Sequence, residues 1–298
     1  AVIYVHLQMP VGEFCSSDDF ATGTIAAAHG GTTTILDFVE PAPDEPLVPA
    51  FLARRAEADG KVAIDYGLHM TLSRADDETL AQVPDCIAAG VASYKLYMAY
   101  DRLRLDDGGL LRVLARLRGC GGRALVHAEN HYAIAYLVAR TLAEGRTGPE
   151  NHPHTRPDVM EAEAIHRLLA LAWVTSTPLV VAHLSSALGL EQVRAARARG
   201  QTVWAETCPQ YLLLDEGVYR QPGFEAAKFV MAPPPRTLAD RSALWAGLGA
   251  GEIDTVATDH CPFFFETQKV RGRDDFSRIP GGAPGIETRL ALMYSHGV

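Results

Sequence analysis

The sequence predicts an α/β protein of the (β/α)8 barrel class, and three observations predict it. Short apolar, β-branched runs alternate with longer helix-forming runs along the whole 298-residue chain. The short runs are near-continuously apolar, as parallel strands covered on both faces must be. The length suits one such barrel, which commonly needs roughly 250 residues. The rival architecture, a doubly wound open sheet for dinucleotides, calls for Gly-x-Gly-x-x-Gly after a strand, and no run is followed by one.

In chain order, a strand at 2–6 is followed by a helix at 18–29, which Gly30-Gly31 stops. Strand 32–38 then pairs with helix 47–58, strand 63–70 with helix 77–88, and strand 93–99 with helix 109–118, stopped by Gly121-Gly122. Strand 124–128 leads to helices 132–143 and 158–175, the second with Pro157 placed for its first turn. Strand 178–184 precedes helix 189–198, ended by Gly200; strand 202–207 precedes helix 238–248; strand 254–258 precedes helix 286–295. There is no linker, low-complexity stretch or further repeat, so residues 1–298 read as a single catalytic barrel domain. The chain opens on strand one and closes on the last helix, which reads as a barrel taken from a longer chain.

Composition excludes several function classes. Hydrophobic residues make up 48% and charged residues 21%, an ordinary globular balance. A net charge of -9 with no basic stripe argues against nucleic acid. No apolar run approaches the roughly 20 residues that span a bilayer, and no charged-then-apolar leader is present. Cys15, Cys86, Cys120, Cys208 and Cys261 are odd in number and scattered, which points to free thiols in a reducing cytoplasm.

The chemistry is concentrated at strand ends. Lys95 lies inside the aromatic run Ser93-Tyr94-Lys95-Leu96-Tyr97-Met98-Ala99-Tyr100, where an unpartnered ammonium is costly. His6, His127 and His183 each close an apolar run, and Asp259 follows the last one. Catalytic groups of (β/α)8 barrels sit at the C-terminal ends of strands, so these five converge on one mouth. Imidazole and carboxylate suit zinc, manganese or iron. Three roles remain open for Lys95 at this point: metal-site residue, partner of a carboxylate, or Schiff-base nucleophile. His69 reads as a core histidine, and His29, His131, His152, His154, His166 and His296 as surface or capping residues. Cys208 and Cys261 read as packing residues.

Several stretches together resemble the hydantoinases and dihydropyrimidinases, cyclic amidohydrolases of the amidohydrolase superfamily. They are Ser-Asp-Asp-Phe-Ala-Thr-Gly-Thr (17–24), Gly-Gly-Thr-Thr-Thr (30–34), Tyr-Lys-Leu-Tyr-Met-Ala-Tyr (94–100), Val-His-Ala-Glu-Asn (126–130), Glu-Thr-Cys-Pro-Gln-Tyr (206–211) and Thr-Asp-His-Cys-Pro-Phe (258–263). The resemblance implies a metal-dependent barrel with two zinc ions per chain bridged by a carboxylated lysine, here Lys95. It implies His127 and His183 as ligands of the more exposed ion, and His6 and Asp259 as ligands of the more buried one. Asp259 would also shuttle a proton from the metal-bound hydroxide to the leaving nitrogen, and Tyr100 would bond the oxyanion. The implied reaction is hydrolysis of a 5-substituted hydantoin or a dihydropyrimidine to an N-carbamoyl amino acid. A homotetramer and a flanking small β-sandwich, here missing, are implied as well.

This chain departs from the family pattern in places. Strand one of the family reads Asp-x-His-x-His, whereas here Val2 and Tyr4 stand at the first two places before His6. A phenol with a pKa near 10 is a poor substitute for imidazole, which leaves room for one ion rather than two. The same change motivates an alternative, a catalytically impaired assembly protein; allantoinase-type specificity is a further one. Ala232 replaces a usual serine and Gly281 a usual asparagine at the two positions that bind the ring amide, mainly through backbone groups. Gln8 occupies the place where dihydroorotase-like sequences carry a carboxylate-binding arginine, which favours an uncharged ring. Met9, Val11, Phe14, Leu103 and Leu105 either line an apolar pocket for the ring substituent or pack loops on the barrel.

Overall fold

A computed structural model of the chain describes residues 2–297, without the side chain of Val2; the Val2 departure therefore lies outside the described residues. Among the described residues ten strands form: β1 Val2–Tyr4, β2 Pro10–Val11, β3 Phe14–Cys15, β4 Thr34–Val39, β5 Asp65–Thr71, β6 Ser93–Tyr97, β7 Arg123–His127, β8 Leu179–Val181, β9 Val203–Thr207 and β10 Thr255–Val256. Eight of them make one sheet in the order β1-β4-β5-β6-β7-β8-β9-β10, every neighbouring pair parallel. A parallel bridge between Val5 and His260, with the His6 amide donating to the His260 carbonyl at 2.7 Å, draws the two edges together. β2 and β3 form a separate antiparallel hairpin over the mouth, which sequence reasoning missed.

The helices are α1 Phe20–His29, α2 Leu47–Ala58, α3 Asp77–Ala81, α4 Val83–Ala88, α5 Asp107–Cys120, α6 His131–Ala143, α7 Asp158–Thr175, α8 Ala187–Ala198, α9 Pro209–Leu213, α10 Leu238–Gly249 and α11 Arg289–Gly297. The single helix expected at 77–88 is two. Pro84 lacks an amide hydrogen and crowds the carbonyl four residues back, so the helix restarts around it. α1 begins at Phe20 rather than residue 18 because Asp19 caps it, in a reciprocal pair with Thr22. Asp18 is thereby released to accept from His260 Nε2 at 2.8 Å. Pro157 stands just ahead of α7, one place before the expected first turn. Among the described residues no helix is long and apolar enough to cross a membrane.

The core is a single large cluster between the sheet and the helices, including Ile35, Leu96, Leu114, Leu168 and Val193. A smaller second cluster of Tyr219, Phe224, Ala227, Val230, Phe276 and Ile279 packs two long loops against each other beside the mouth. It positions the segments that carry Ala232 and Gly281.

Candidate active site at the barrel mouth

Successive strand side chains point to opposite faces. On β6 this sets Lys95 and Tyr97 on the inner face. Lys95 is 1% exposed, and its Nζ lies 5.1 Å from the Tyr97 ring centroid, 5.3 Å from that of Tyr4 and 5.5 Å from that of Phe38. Burial pushes its pKa below the usual lysine value, against the pull of Asp259. Lys95 also depresses both His127 and His183, so it belongs electrostatically to their group.

His127 ends β7, and His183 follows β8 by two residues. His127 Nδ1 stands 2.9 Å from His183 Nε2. On its other side, His127 Nε2 meets Glu129 Oε2 at 2.7 Å, and the same oxygen accepts from Arg156 Nη1 at 2.6 Å. Burial would raise the Glu129 carboxyl, but Arg156, the hydrogen bond from His127 and Arg236 hold it well below the usual range. An ionised Glu129 accepts the Nε2 proton, which leaves the Nδ1 lone pair turned toward His183. Burial pushes both imidazoles toward the neutral, ligand-competent form. Arg236 ties the two segments together: it donates to the Arg156 carbonyl, to Ser185 Oγ at 3.1 Å and to Glu161 at 3.4 Å.

His6 and Asp259 form the other pair, Nε2 to Oδ1 at 3.2 Å. The His6 ring stacks on Phe38 at 4.4 Å, and Tyr4 meets Phe38 edge-on at 5.7 Å. Burial would raise the Asp259 carboxyl, yet the His6 hydrogen bond, His183 and Lys95 hold it low. Tyr4 is buried and its phenol is driven well above 10, so it stays neutral.

These donors fit a divalent ion unequally. On the outer side two neutral imidazoles offer facing nitrogens, and the buried His183 Nδ1 has no partner among the described residues. On the inner side His6 and Asp259 are joined by a phenol instead of a second imidazole. Among the described residues no three His, Cys, Asp or Glu side chains gather closely enough to hold an ion by themselves.

Tyr100 follows β6 and lies 5.1 Å from the His127 ring, with the Arg156 guanidinium 5.8 Å from its own. Burial raises its pKa, which keeps it a hydrogen donor. Tyr100, His183 and Asp259 all have left-handed backbone, at φ 73°, 36° and 50°. Such conformations are uncommon for these residue types and cluster at functional sites. This also explains why β6 stops at Tyr97 rather than continuing to residue 99.

The mouth opens into a cavity of about 1110 Å³. Met9, Val11, Phe14 and Leu103 line it as one of the sequence readings had them; Leu105 does not, being buried in the core. Gln8 is exposed and outside the lining. Ala232 and Gly281 both line it. The carbonyls around Ala232 are all engaged: Phe229 accepts from Tyr219 at 2.9 Å, Val230 from Lys269 at 3.1 Å, Met231 from His152 at 2.8 Å and Pro233 from Tyr211 at 2.8 Å. Among the described residues nothing donates to the carbonyl of Ala232 or of Gly281. Gly282 beside it must be glycine, because a Cβ there would run into the Cys261 carbonyl.

His152 was expected at the surface and is a correction: it is buried, bonded to the Met231 carbonyl, and its pKa is pushed down to about 3 by burial and by Arg156. His69 is a core histidine, bonded to Ser93 Oγ at 2.6 Å. Glu129, Arg156, Arg236 and Lys269 were given no role by sequence reasoning. Only Glu129 had a usable signal, its place two residues after a strand-end histidine.

A (β/α)8 barrel with histidines, an aspartate and a buried lysine at its C-terminal mouth has the form of an amidohydrolase-type barrel. No family model matches the sequence. The chain is 43% identical over 297 residues to a D-hydantoinase of Geobacillus stearothermophilus, covering 99% of this chain and 63% of that protein. It is 42% identical over 298 residues to a D-phenylhydantoinase of Escherichia coli, covering 99% and 64%. Among solved structures, a dihydropyrimidinase from Brevibacillus agri superposes with a TM-score of 0.98 at 42% identity, covering 100% of this chain and 65% of that one. An L-hydantoinase (dihydropyrimidinase) from Arthrobacter aurescens superposes with a TM-score of 0.87 at 28% identity, over 98% and 64%. The chain is thus similar over nearly its whole length to hydantoinases and dihydropyrimidinases, and it spans a little under two thirds of the length of these relatives.

Proposed function

We propose that this barrel is a catalytic domain that opens a cyclic amide ring, a 5-substituted hydantoin or a dihydropyrimidine, to an N-carbamoyl amino acid. The observation that carries the reading is the His127 Nδ1 to His183 Nε2 approach at 2.9 Å, with Glu129 fixing the tautomer behind it. Its relatives' names supply the substrate class: D-hydantoinase, D-phenylhydantoinase and dihydropyrimidinase.

His127, His183 and Lys95, the last as its carbamate, are the residues that would hold a divalent metal, zinc being the best match to two imidazoles and an oxygen donor. When bound, the metal supplies Lewis acidity and a water of lowered pKa. The donors at the mouth fit one ion better than two, because Tyr4 stands on the inner side. His6 and Asp259 complete the set; His6 orients the Asp259 carboxylate through their 3.2 Å contact. Asp259 takes the proton of the attacking water and returns it to the ring nitrogen as the amide C–N bond breaks. Tyr100 donates its hydroxyl proton to the oxyanion that develops on the attacked carbonyl. The unengaged carbonyls of Ala232 and Gly281 accept from ring N–H groups, so the ring is held by backbone and the lost serine and asparagine side chains are not required. Met9, Val11, Phe14 and Leu103 receive an apolar ring substituent. The free cysteines accord with a reducing compartment.

The test is ring opening of dihydrouracil and of a 5-substituted hydantoin, with metal analysis before and after chelation. Turnover that disappears with the metal and returns on adding zinc is the expected result. Turnover surviving complete metal removal sinks the reading, and so does a metal-free protein inert to both rings after zinc addition.

A further inference from the structure

Lys269 is the most unusual buried cation outside the site just described. It is 3% exposed, yet the described residues give it no carboxylate. Its ammonium instead donates to three backbone carbonyls: Val230 at 3.1 Å, Pro280 at 3.2 Å and Gly282 at 2.9 Å. An ammonium has three protons, so its bonding capacity is filled by main chain alone. Burial pushes its pKa down to about 7, the cost of placing a charge there without a counter-ion.

The three acceptors come from two segments remote in sequence. The first leads into Ala232 and the second flanks Gly281 on both sides. The segments also bond each other, the Gly282 amide donating to the Val230 carbonyl at 3.0 Å. In non-helical chain, successive carbonyls point in roughly opposite directions. Turning the carbonyls of 280 and 282 onto one ammonium therefore turns that of 281 away from it, on the side where Gly281 lines the cavity. Holding 230 on the same ammonium sets the spacing between the two segments.

We propose that Lys269 is the positioning residue of the ring-binding notch: one buried ammonium holds both backbone segments so that the Ala232 and Gly281 peptide groups face the substrate ring. The inference rests on the reading of these two positions as the ring-binding groups. It explains how this chain keeps a recognition surface although both positions carry side chains unable to hydrogen-bond. Lys269 touches no reacting atom, so its removal acts on binding first.

The experiment compares the 298-residue chain with Lys269→Met and Lys269→Gln. Steady-state ring opening of a 5-substituted hydantoin gives KM and kcat, and calorimetry with a non-hydrolysed cyclic imide gives ring affinity. Metal content and thermal midpoint are measured on the same samples. Lys269→Met should weaken imide binding and raise KM by about tenfold or more, the effect of losing charge-assisted bonds that shape a site. Its kcat should change less than its KM, with metal content unchanged. Lys269→Gln, whose amide keeps two donors, should lie between, and it carries the test if the methionine variant does not fold. Unchanged KM and imide affinity in a folded variant overturns the inference while leaving the proposed function intact. Loss confined to kcat or to metal content also overturns it. A wild-type chain that neither opens nor binds any such ring overturns both.

Discussion

The two halves of the barrel mouth are built on opposite principles. The outer half, His127 and His183, is held by charge: Glu129 and Arg156 stand behind one imidazole, and Arg236, Ser185 and Glu161 secure the backbone near the other. The inner half, His6, Lys95 and Tyr4, is held by rings: Phe38 stacks on His6, and Tyr4, Tyr97 and Phe38 surround the Lys95 ammonium. A hydrogen-bonded imidazole has a fixed tautomer and a directed lone pair. On the inner side ring packing fixes Lys95 and Tyr4 in place, while His6 has a single carboxylate partner, Asp259 at 3.2 Å. The outer half is therefore a directed, charge-backed pair of imidazoles, and the inner half an aromatic enclosure for a lysine.

The most damaging way to break this contrast is His183→Ala. It removes one of the two facing nitrogens, and ring opening should fall on the order of 10³-fold together with the bound metal. Metal analysis alongside kinetics checks it; a variant that keeps both would remove His183 from the site.

Glu129→Gln tests whether charge behind the outer half matters. The amide can present either a donor or an acceptor to His127, so the tautomer is no longer dictated. Zinc affinity, read by chelator competition, should drop roughly 10–100-fold. A matching drop in Arg156→Gln, with no other change in fold, would place both residues in one unit.

A pH series probes the same half through His152, whose pKa lies at about 3 rather than 6.5 because burial and Arg156 oppose its charge. The folded state thus refuses a proton that the unfolded chain accepts below pH 6.5. This contribution is complete above that value and is lost as pH falls from 6.5 toward 3, by about 1.4 kcal/mol per pH unit. Denaturant unfolding at pH 7.5 and 5.5 should show His152→Gln losing about that much less stability than wild type. Equal losses would mean that His152 takes up its proton in the folded protein.

Tyr4→His has the smallest effect and sharpens the comparison most. It returns a second imidazole to the inner half, and metal content should rise from about one toward two per chain, at most a twofold change. Two equivalents already present in the wild type would show that the phenol does not limit the inner side.

Much of the fold was readable in the residues, and the reasons differ by element. Parallel strands covered on both faces must be apolar throughout, so all eight barrel strands announce themselves within a few residues of their ends. Their ends were less readable. β6 stops at Tyr97 because Tyr100 adopts a left-handed backbone, and β8 covers only Leu179–Val181 ahead of the left-handed His183. Neither conformation has a signature in these residue types. The hairpin of β2 and β3 escaped notice because each strand is two residues long.

The site divides in the same manner. His6, Lys95, His127, His183 and Asp259 were legible because each sits at a strand end or breaks an apolar run. Arg156, Arg236, His152 and Lys269 were not: they lie in loops and short 3₁₀ turns, and their partners are fixed only by contacts between distant segments. His152 reaches Met231 across 79 residues, and Arg236 reaches Arg156 across 80.

The sequence by itself determined the barrel and the inventory of groups at its mouth. These follow from periodicity and residue chemistry, which are local properties. Only the tertiary structure decided which nitrogen of His127 faces His183, which carbonyls at the mouth are left unengaged, and that one buried lysine joins the two segments bearing them. Hydrogen-bond direction and long-range contact exist only once the chain has closed on itself.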